Sequence, residues 1–390
     1  MIIHKLTSSV RKCFVKNERF EKKSGKHIDF EWLNVYTLFI KKIKFGGCIL
    51  VKKRVLAVLA ATMMAGAILV GCGNNSSSSK GTKHSAALVT DGGGIDDKSF
   101  NQSAWEGLES WGKSHNLQKG INGYNYAQST DDSDFLPNIN KLVKAKYATI
   151  FGIGYKLDNA ITKASKANPD VNFAIIDSVV SNRKNVASVT FKTEQSSFLA
   201  GVAAAKTTKT NKVGFIGGIQ SDVITTFEKG FEQGVKAVNP DIKVDVKYAG
   251  SFTKADVGQS LATAMYNNNE DVVYQAAGGT GAGVFTAAKN VAKNGKKVWV
   301  IGVDQDQKAD GKYKGGNVTL ASAVKKVGTA VKDLSNDAMK NKFPGGKTVT
   351  YDLKSNGVGL VNDNMSASAL KAVQSYQEKI ENGTIKVSPK

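Results

Sequence analysis

The stretch LVTDGGGIDDKSFNQSAWEGL, at residues 88–108, joins an apolar run to an amphipathic one through three glycines and three aspartates. The first run belongs to a β-branched segment at 85–90, which predicts a strand. The second run has apolar residues at spacings of three and four, namely Phe100, Ala104, Leu108 and Trp111. This spacing predicts a helix. The stretch therefore indicates a strand, a glycine-rich turn and a helix, which together are one unit of an α/β fold.

The same alternation repeats along the chain from residue 85. The predicted strands are 85–90, 147–153, 172–177, 186–191, 212–217, 242–248, 271–276, 297–303, 318–324 and 348–353. Helical spacing recurs between most of them, for example at Phe135/Ile139/Leu142, Phe198/Val202/Ala205 and Val223/Phe227/Phe231. Such alternation predicts parallel sheets with helices on both faces. Ten strands are many for one open sheet, so we expect two smaller sheets in two lobes.

The lobes are expected to be joined by three chain segments, because no long Pro/Ser-rich linker interrupts the pattern. These crossings are expected at 186–194, after Asp304 and at 352–360. The expected lobes are an N-terminal lobe of residues 84–192 plus 306–345 and a C-terminal lobe of residues 193–305 plus 346–390. The expected fold is a two-lobed α/β fold in which each lobe is a parallel sheet flanked by helices.

A secretion signal is predicted at residues 52–71, where Lys-Lys-Arg precedes an apolar run of 16 residues, 55–70. That run suits a signal peptide better than a membrane span of about 20 residues. It ends in Leu-Val-Gly-Cys, which resembles a bacterial lipobox with Cys72 as the acylated residue. Residues 72–83 are expected to form a flexible tether, which argues against the alternative of a buried apolar helix. Residues 1–51 are expected to be a mis-annotated leader, with translation starting at Val51.

The net charge of +21 first suggests a nucleic-acid partner. Residues 1–71, however, contain 14 Lys/Arg and 4 Asp/Glu, which leaves 40 − 29 = +11 for the remainder. The remaining lysines are scattered rather than gathered with aromatic residues, so no nucleic-acid partner is expected. Of the three cysteines, Cys13 and Cys48 precede the signal peptide. The mature chain therefore has neither a disulfide nor a thiolate metal site.

Enzymatic motifs are missing from the sequence. No P-loop occurs, and GGGIDD departs from the dinucleotide-binding pattern. All four histidines lie at or before His115, so none forms a recognisable triad or metal cluster with later residues. The segment 304–311, DQDQKADG, only faintly resembles a calcium loop, because Lys308 occupies a ligand position and no Glu stands at the twelfth position. We expect a protein that is not an enzyme and that needs no cofactor or metal.

Carboxylates follow three predicted strands, as Asp91, Asp177 and Asp304. In open parallel sheets ligands bind beyond the carboxyl ends of the strands, and a carboxylate accepts hydrogen bonds from vicinal hydroxyls. Alternatively, each acid caps the next helix. Two aromatic residues, Phe100 and Phe252, can sandwich a flat ring between the lobes or can be ordinary core residues. Three acids from separate strands favour a ligand cleft.

Seven segments together resemble the basic membrane protein lipoproteins, which are nucleoside-binding subunits of ABC importers. The segments are ALVTDGGGIDDKSFNQSAWEGL, VASVTFKTEQSSFLAGVAA, KVGFIGG…FEKGFEQGVKAVNP, AGSFTKADVGQSLA, AAGGTGAGVFTAA, VIGVDQDQ and ASAVKKV. The resemblance runs over nearly all of residues 84–390. It implies a type I periplasmic-binding-protein-like fold, with two α/β lobes that are joined by crossing hinge segments and that close over a purine or related nucleoside.

The resemblance also implies roles for individual residues. It assigns the ribose hydroxyls to Asp91 and Asp304, the Ser-x-x-Lys lysine to Lys325, the faces of the base to Phe100 and Phe252, the base edges to Asp97, Asn101 and Asp177, and a backbone contact to Gly278. Lys326 is adjacent to Lys325, so the lysine register stays open. Asp96 is interpreted as the residue that starts the helix.

The sequence therefore predicts a monomeric lipoprotein at the extracytoplasmic face of the cell membrane that binds nucleosides for an ABC permease and its ATPase. One alternative is a lipoprotein that senses a nucleoside or sugar and signals through a partner without transport. Another is a sugar or autoinducer binder of the same fold. The acids of the cleft are expected to disfavour nucleotides, because a phosphate would meet negative charge.

Overall fold

Two six-stranded sheets form the frame of the protein, which a computed structural model describes over residues 84–390. The predicted leader, signal peptide, acylated Cys72 and tether all lie outside the described residues. The strands are β1 Ala86–Val89, β2 Tyr124–Ala127, β3 Thr149–Gly152, β4 Asn172–Ile176, β5 Val186–Phe191, β6 Lys212–Gly217, β7 Lys243–Tyr248, β8 Val272–Ala276, β9 Trp299–Asp304, β10 Lys312–Tyr313, β11 Gly316–Asn317, β12 Thr319–Lys325, β13 Thr348–Tyr351 and β14 Val358–Asn362. The α-helices are α1 Phe100–Ser114, α2 Phe135–Lys144, α3 Asp158–Ala167, α4 Thr193–Thr207, α5 Asp222–Val238, α6 Ala255–Asn267, α7 Gly281–Lys293, α8 Val327–Met339 and α9 Ala367–Glu381.

Lobe 1 is built on the sheet β13-β5-β4-β3-β1-β2, in which every neighbouring pair is parallel. Successive side chains of a strand point to opposite faces, so β1 supplies both core layers of this lobe. Leu88 packs with Trp111 and Val331 of α1 and α8 on one face. Val89 packs with Ile139 of α2 and with α3 on the other face. Helices therefore cover both sides of the sheet.

Lobe 2 is built on the sheet β14-β12-β9-β8-β6-β7. Its neighbours are parallel except for β12 and β14, which pair antiparallel. Helices α4, α5 and α9 pack on one face around Phe215 and Phe231, and α6 and α7 pack on the other around Val273 and Phe285. The predicted fold class, two parallel-dominated sheets flanked by helices, is confirmed.

The chain crosses between the lobes at three points, from β5 to α4, from β12 to α8 and from β13 to β14. The second crossing differs from the expected one after Asp304. Strand β12 pairs with β9 and therefore places residues 306–325 in lobe 2 rather than lobe 1. Strand β13 pairs with β5 and places residues 348–351 in lobe 1 rather than lobe 2. Which sheet a strand joins depends on its partners, and its own composition does not specify them.

All ten predicted strands are present, but β2, β14 and the small hairpin β10–β11 were not predicted. Strand β2 reads Tyr-Asn-Tyr-Ala, which lacks β-branched residues, and it lies at the edge of its sheet, paired only with β1. Strand β14 begins within the segment 352–360, which was expected only to cross between the lobes. Among residues 84–390, no helix has the length and apolar character needed to span a membrane.

Candidate ligand-binding cavity between the lobes

Nine residues were predicted from the sequence to bind the ligand. All nine line one cavity between the carboxyl ends of the two sheets. They are Asp91, Asp97, Phe100, Asn101 and Asp177 of lobe 1 and Phe252, Gly278, Asp304 and Lys325 of lobe 2. The space between the walls, including the part open to solvent, is about 570 Å³. Four carboxylates and one ammonium group give its wall a negative charge.

Asn101 joins two carboxylates in the lobe 1 wall. Its Nδ2 donates to Asp91 Oδ1 at 2.9 Å and to Asp97 Oδ2 at 3.0 Å. The side-chain amide is therefore held in one orientation, because carboxylates accept and do not donate. Asn101 is 2% exposed, and its Oδ1 is buried without a hydrogen-bond partner. Such an atom is costly to bury, so the wall offers an acceptor for which the protein supplies no donor.

Asp97 caps helix α1. Its Oδ1 accepts from the backbone N–H groups of Ser99 and Gln102, at 2.9 and 3.0 Å. Its Oδ2 accepts from the backbone N–H of Asn101 at 3.0 Å, in addition to the Asn101 side chain. These four bonds occupy the roughly four acceptor positions of a carboxylate. Helix α1 begins at Phe100, and Asp96, which we expected to start it, lies before the helix and is exposed.

Asp91 lies at the end of β1 beside Gly154, which follows β3. A Cβ at Gly154 would lie 2.8 Å from Asp91 Oδ2, and the φ of Gly154 is +112°, so glycine is required there. The pKa of Asp91 is raised to about 6, mainly by burial and to a smaller extent by the nearby Asp97, against the lowering effect of the Asn101 hydrogen bond.

Lys325 is buried at 2% exposure and forms an ion pair with Asp177 of lobe 1. Its Nζ lies over the rings of Phe100, Phe191 and Phe227, at 4.6, 5.2 and 5.8 Å from their centroids. A cation over an aromatic face is attracted by the ring quadrupole. Lys325 lines the cavity, whereas the adjacent Lys326 donates to Asn356 in an exposed hydrogen bond.

Asp304 ends β9 and accepts a hydrogen bond from the Ser99 hydroxyl of lobe 1. Its φ is +63°, and Asp177 has a φ of +66° at the end of β4. Aspartate enters this left-handed region more readily than most residues, which turns each side chain out of the sheet at the strand end. Burial raises the pKa of Asp304 to about 6, against the lowering effects of Lys325 and of the Ser99 hydrogen bond.

Phe252 faces the cavity from lobe 2 and is positioned by a glycine. A Cβ at Gly218, directly after β6, would lie 2.3 Å from the Phe252 ring. Gly278 has a φ of +56°, and a Cβ added there would lie 3.3 Å from the Phe252 carbonyl oxygen. The aromatic side chain and the glycine turn therefore form one wall.

Several lining residues were not identified as site residues from the sequence. They are Gly93, Gly154, Tyr155, Val223, Ile224, Phe227, Ala276 and Val303. Val223 and Phe227 fitted the apolar face of α5, but the first turns of that helix reach the cavity. The periodicity identifies the apolar face and does not reveal that part of it borders a cleft. Among residues 84–390, no group of three or more His, Cys, Asp or Glu is arranged to hold a metal ion.

Comparisons with known proteins agree with this architecture. A family model described as ABC transporter substrate-binding protein PnrA-like matches residues 84–390. A protein of Lactococcus lactis subsp. cremoris (strain MG1363), named ABC transporter nucleoside-binding protein BmpA, is 52% identical over 351 residues, which cover 87% of this chain and 100% of that protein. Basic membrane protein A of Borreliella afzelii is 36% identical over 281 residues, 71% of this chain and 82% of the relative.

The fold has counterparts among solved structures. The crystal structure of an ABC transporter system solute-binding protein from Aeropyrum pernix K1 matches with a TM-score of 0.71 and 22% identity, over 77% of this chain and 92% of that one. At this identity the likeness concerns the fold alone. The family match over residues 84–390 confirms the expected resemblance and the prediction of a binding protein rather than an enzyme. The chain belongs to the PnrA-like family of ABC transporter substrate-binding proteins.

Proposed function

We propose that this protein captures nucleosides, purine nucleosides in particular, in the cavity between its lobes and delivers them to an ABC permease. The observation that carries the proposal is the combination of two aromatic residues from opposite lobes with carboxylates at the strand ends, all lining one cavity. The name of the 52% identical Lactococcus relative, a nucleoside-binding protein, supports the same ligand class.

The base is held between Phe100 of lobe 1 and Phe252 of lobe 2. Stacking of a base on an aromatic side chain contributes about 1–3 kcal/mol in nucleic-acid complexes. Because the two rings come from different lobes, full stacking requires the lobes to be closed. Ligand binding therefore shifts the population towards the closed form, which is the form offered to the permease.

The sugar hydroxyls bind to carboxylates. Asp91 and Asp304 each have one oxygen engaged by a protein donor, Asn101 Nδ2 and the Ser99 hydroxyl respectively. Their other oxygens have acceptor capacity for a ligand O–H. The backbone of Gly278 lies in the same wall as Asp304 and supports the sugar from the side of lobe 2.

An edge of the base that carries N–H groups binds at Asn101 Oδ1, which is buried without a partner. An acceptor at this position favours a purine with N–H groups, such as guanine or hypoxanthine. Asp97 supports this contact indirectly, because its oxygens are occupied by the start of α1. Asp177 likewise acts through the buried Lys325 that it holds.

Titration calorimetry of the full chain with guanosine, inosine, adenosine, cytidine, ribose and the 5′-monophosphates tests the proposal. We expect the purine nucleosides to bind most tightly and the monophosphates far more weakly, because a phosphate would face the acids of the cleft. Phe252→Ala is expected to cost about 1–3 kcal/mol of binding free energy. The matched control is Phe343→Ala, at a partly buried phenylalanine of lobe 1 outside the cavity. Absence of binding by every nucleoside contradicts the proposal.

Delivery to a permease and retention at the outer face of the cell membrane are further parts of the proposal. The lipobox-like sequence supports acylation of Cys72, which would anchor the protein through its lipid without a spanning helix. Cells that lack the protein are expected to take up less labelled guanosine. Unchanged uptake together with tight binding of guanosine would favour the alternative role in sensing.

A further inference from the structure

The start of helix α1 carries two residues of the proposed site and is held by the opposite lobe. Gln307 Nε2 of lobe 2 donates to the Lys98 carbonyl oxygen at 2.9 Å, and Gln305 Nε2 donates to the Ser99 carbonyl oxygen at 2.9 Å. The Lys98 ammonium lies 3.1 Å from Asp310 Oδ1. The Ser99 hydroxyl also donates to Asp304. Four contacts therefore tie two consecutive residues of lobe 1 to segment 304–310 of lobe 2.

The side chain of Gln307 is held in a single orientation. Its Oε1 accepts from the backbone N–H of Val303 at 2.9 Å and from Gln275 Nε2 at 2.8 Å. A backbone N–H can only donate, so the oxygen must face lobe 2 and Nε2 must face lobe 1. Gln307 is 3% exposed. A Cβ at Gly302 would lie 2.7 Å from Gln307 Oε1, so this position requires glycine.

The same hydrogen-bond chain reaches the glycine turn of the cavity. Gln275 is fully buried, and its Oε1 accepts from the backbone N–H of Ala277 at 3.2 Å, directly before Gly278. The chain runs from Ala277 through Gln275 and Gln307 to the Lys98 carbonyl. It therefore connects the turn at Gly278 in lobe 2 with the helix start in lobe 1.

The backbone at Lys98 needs support from outside its own segment. Its φ is +57°, a conformation that a lysine rarely adopts without compensation. Phe100 and Asn101 follow immediately, so their position depends on the geometry at Lys98. Two of the four contacts bind backbone carbonyls and therefore act on the path of the chain itself.

We propose that Gln307 and Gln305 are positioning residues that latch the start of α1 to lobe 2, stabilise the closed lobes and thereby slow the release of bound nucleoside. The inference of slow release rests on the proposed function, whereas the closure of the lobes does not. A ligand held between the two lobes is released as the lobes separate, and separation breaks the bonds to Lys98 and Ser99. Release therefore becomes faster when these bonds are removed, while association changes little.

Two variants of the full chain test the latch. Gln307→Glu keeps an acceptor for Val303 and Gln275 but loses the donor to Lys98. Gln305→Ala removes the bond to Ser99 at a less buried position and covers the case in which the first variant folds poorly. The matched control is Gln377→Ala, since Gln377 donates to Glu381 within α9, away from the cavity.

Lobe closure is measured without ligand by pulsed electron paramagnetic resonance. Spin labels are placed at Asn140→Cys of α2 and Ser260→Cys of α6, both exposed, after Cys13, Cys48 and Cys72 are replaced by serine. We expect longer label distances to gain population in Gln307→Glu and Gln305→Ala and to stay at the parental level in Gln377→Ala. Parental distance distributions in both latch variants overturn the proposal.

Nucleoside release is measured by stopped flow with guanosine. We expect dissociation about two- to tenfold faster in each latch variant, the effect of one lost hydrogen bond, with association within about twofold of the parent. Unchanged dissociation in both variants overturns the kinetic part of the proposal. The label distances decide lobe closure even if the parent binds no guanosine, so failure of the latch and failure of the proposed function give different results.

Discussion

The ion pair between Lys325 and Asp177 is expected to be the most sensitive charge contact of the cavity. The side chains are 2% and 8% exposed, and they join lobe 2 to lobe 1. Removing one partner of a buried pair leaves an uncompensated charge and costs about 3–5 kcal/mol. Lys325 also lowers the pKa of Asp304. It supplies the one ammonium group among the residues that line the cavity, opposite four carboxylates. We therefore expect Lys325→Met to lower the free energy of unfolding by about 3–5 kcal/mol at pH 7.

Equilibrium unfolding in urea of the parent, Lys325→Met, Asp177→Asn and the double variant measures this effect as a double-mutant cycle. The double variant is expected to recover much of the loss, because the orphaned carboxylate is gone. A surface pair provides the control: Lys113 and Glu109 lie 3.2 Å apart, with the lysine 65% exposed. Lys113→Met should cost about 0.5 kcal/mol or less. A cost below about 1 kcal/mol for Lys325→Met, or no recovery in the double variant, would refute the argument from burial.

Three further predictions concern pH, packing and anchoring. Burial raises the pKa of Asp304 from 3.8 to about 6. The folded state therefore binds a proton at Asp304 more tightly than the unfolded state does. The contribution of Asp304 to stability falls as the pH rises from about 4 to about 6. The Asp304→Asn variant without ligand should therefore be more stable than the parent by up to about 3 kcal/mol at pH 7, and this advantage should shrink towards pH 4. Urea unfolding at several pH values measures it, and a stability difference that does not change with pH would contradict the prediction. Gly218→Ala should weaken calorimetric nucleoside binding, because its Cβ would lie 2.3 Å from the Phe252 ring, whereas Gly359→Ala meets an ordinary 3.6 Å contact and should bind as the parent does; equal affinities would argue against the stacking role. Cys72→Ser should move the protein from the membrane to the soluble fraction of lysed cells, and continued sedimentation with membranes would count against a lipid anchor.

Local patterns in the sequence predicted most of the frame. A strand with β-branched residues and a helix with three- and four-residue apolar spacing are properties of short segments. The acids at the strand ends were also found locally, because Asp91, Asp177 and Asp304 directly follow buried runs. Parallel strands bring their carboxyl ends to one edge, so separate segments could be placed around one cleft before any contact was known.

The role of Asp97 shows where local patterns stop. Both Asp96 and Asp97 stand before an amphipathic run, and either could start a helix or bind a ligand. The folded backbone turns Asp97 towards the first N–H groups of α1 and leaves Asp96 exposed. This choice depends on the path of the turn, which the residue types alone do not specify.

The sequence by itself determined the alternation of strands and helices, the family and the set of candidate residues, because each depends on neighbours in the chain or on recurring motifs. Only the tertiary structure decided that β12 joins lobe 2, that Lys325 is enclosed by three phenylalanine rings and that Gln307 bonds to Lys98 across 209 residues of chain. Each of these is a contact between segments far apart in sequence. Their energies depend on burial and distance, and both quantities exist only once the lobes have packed together.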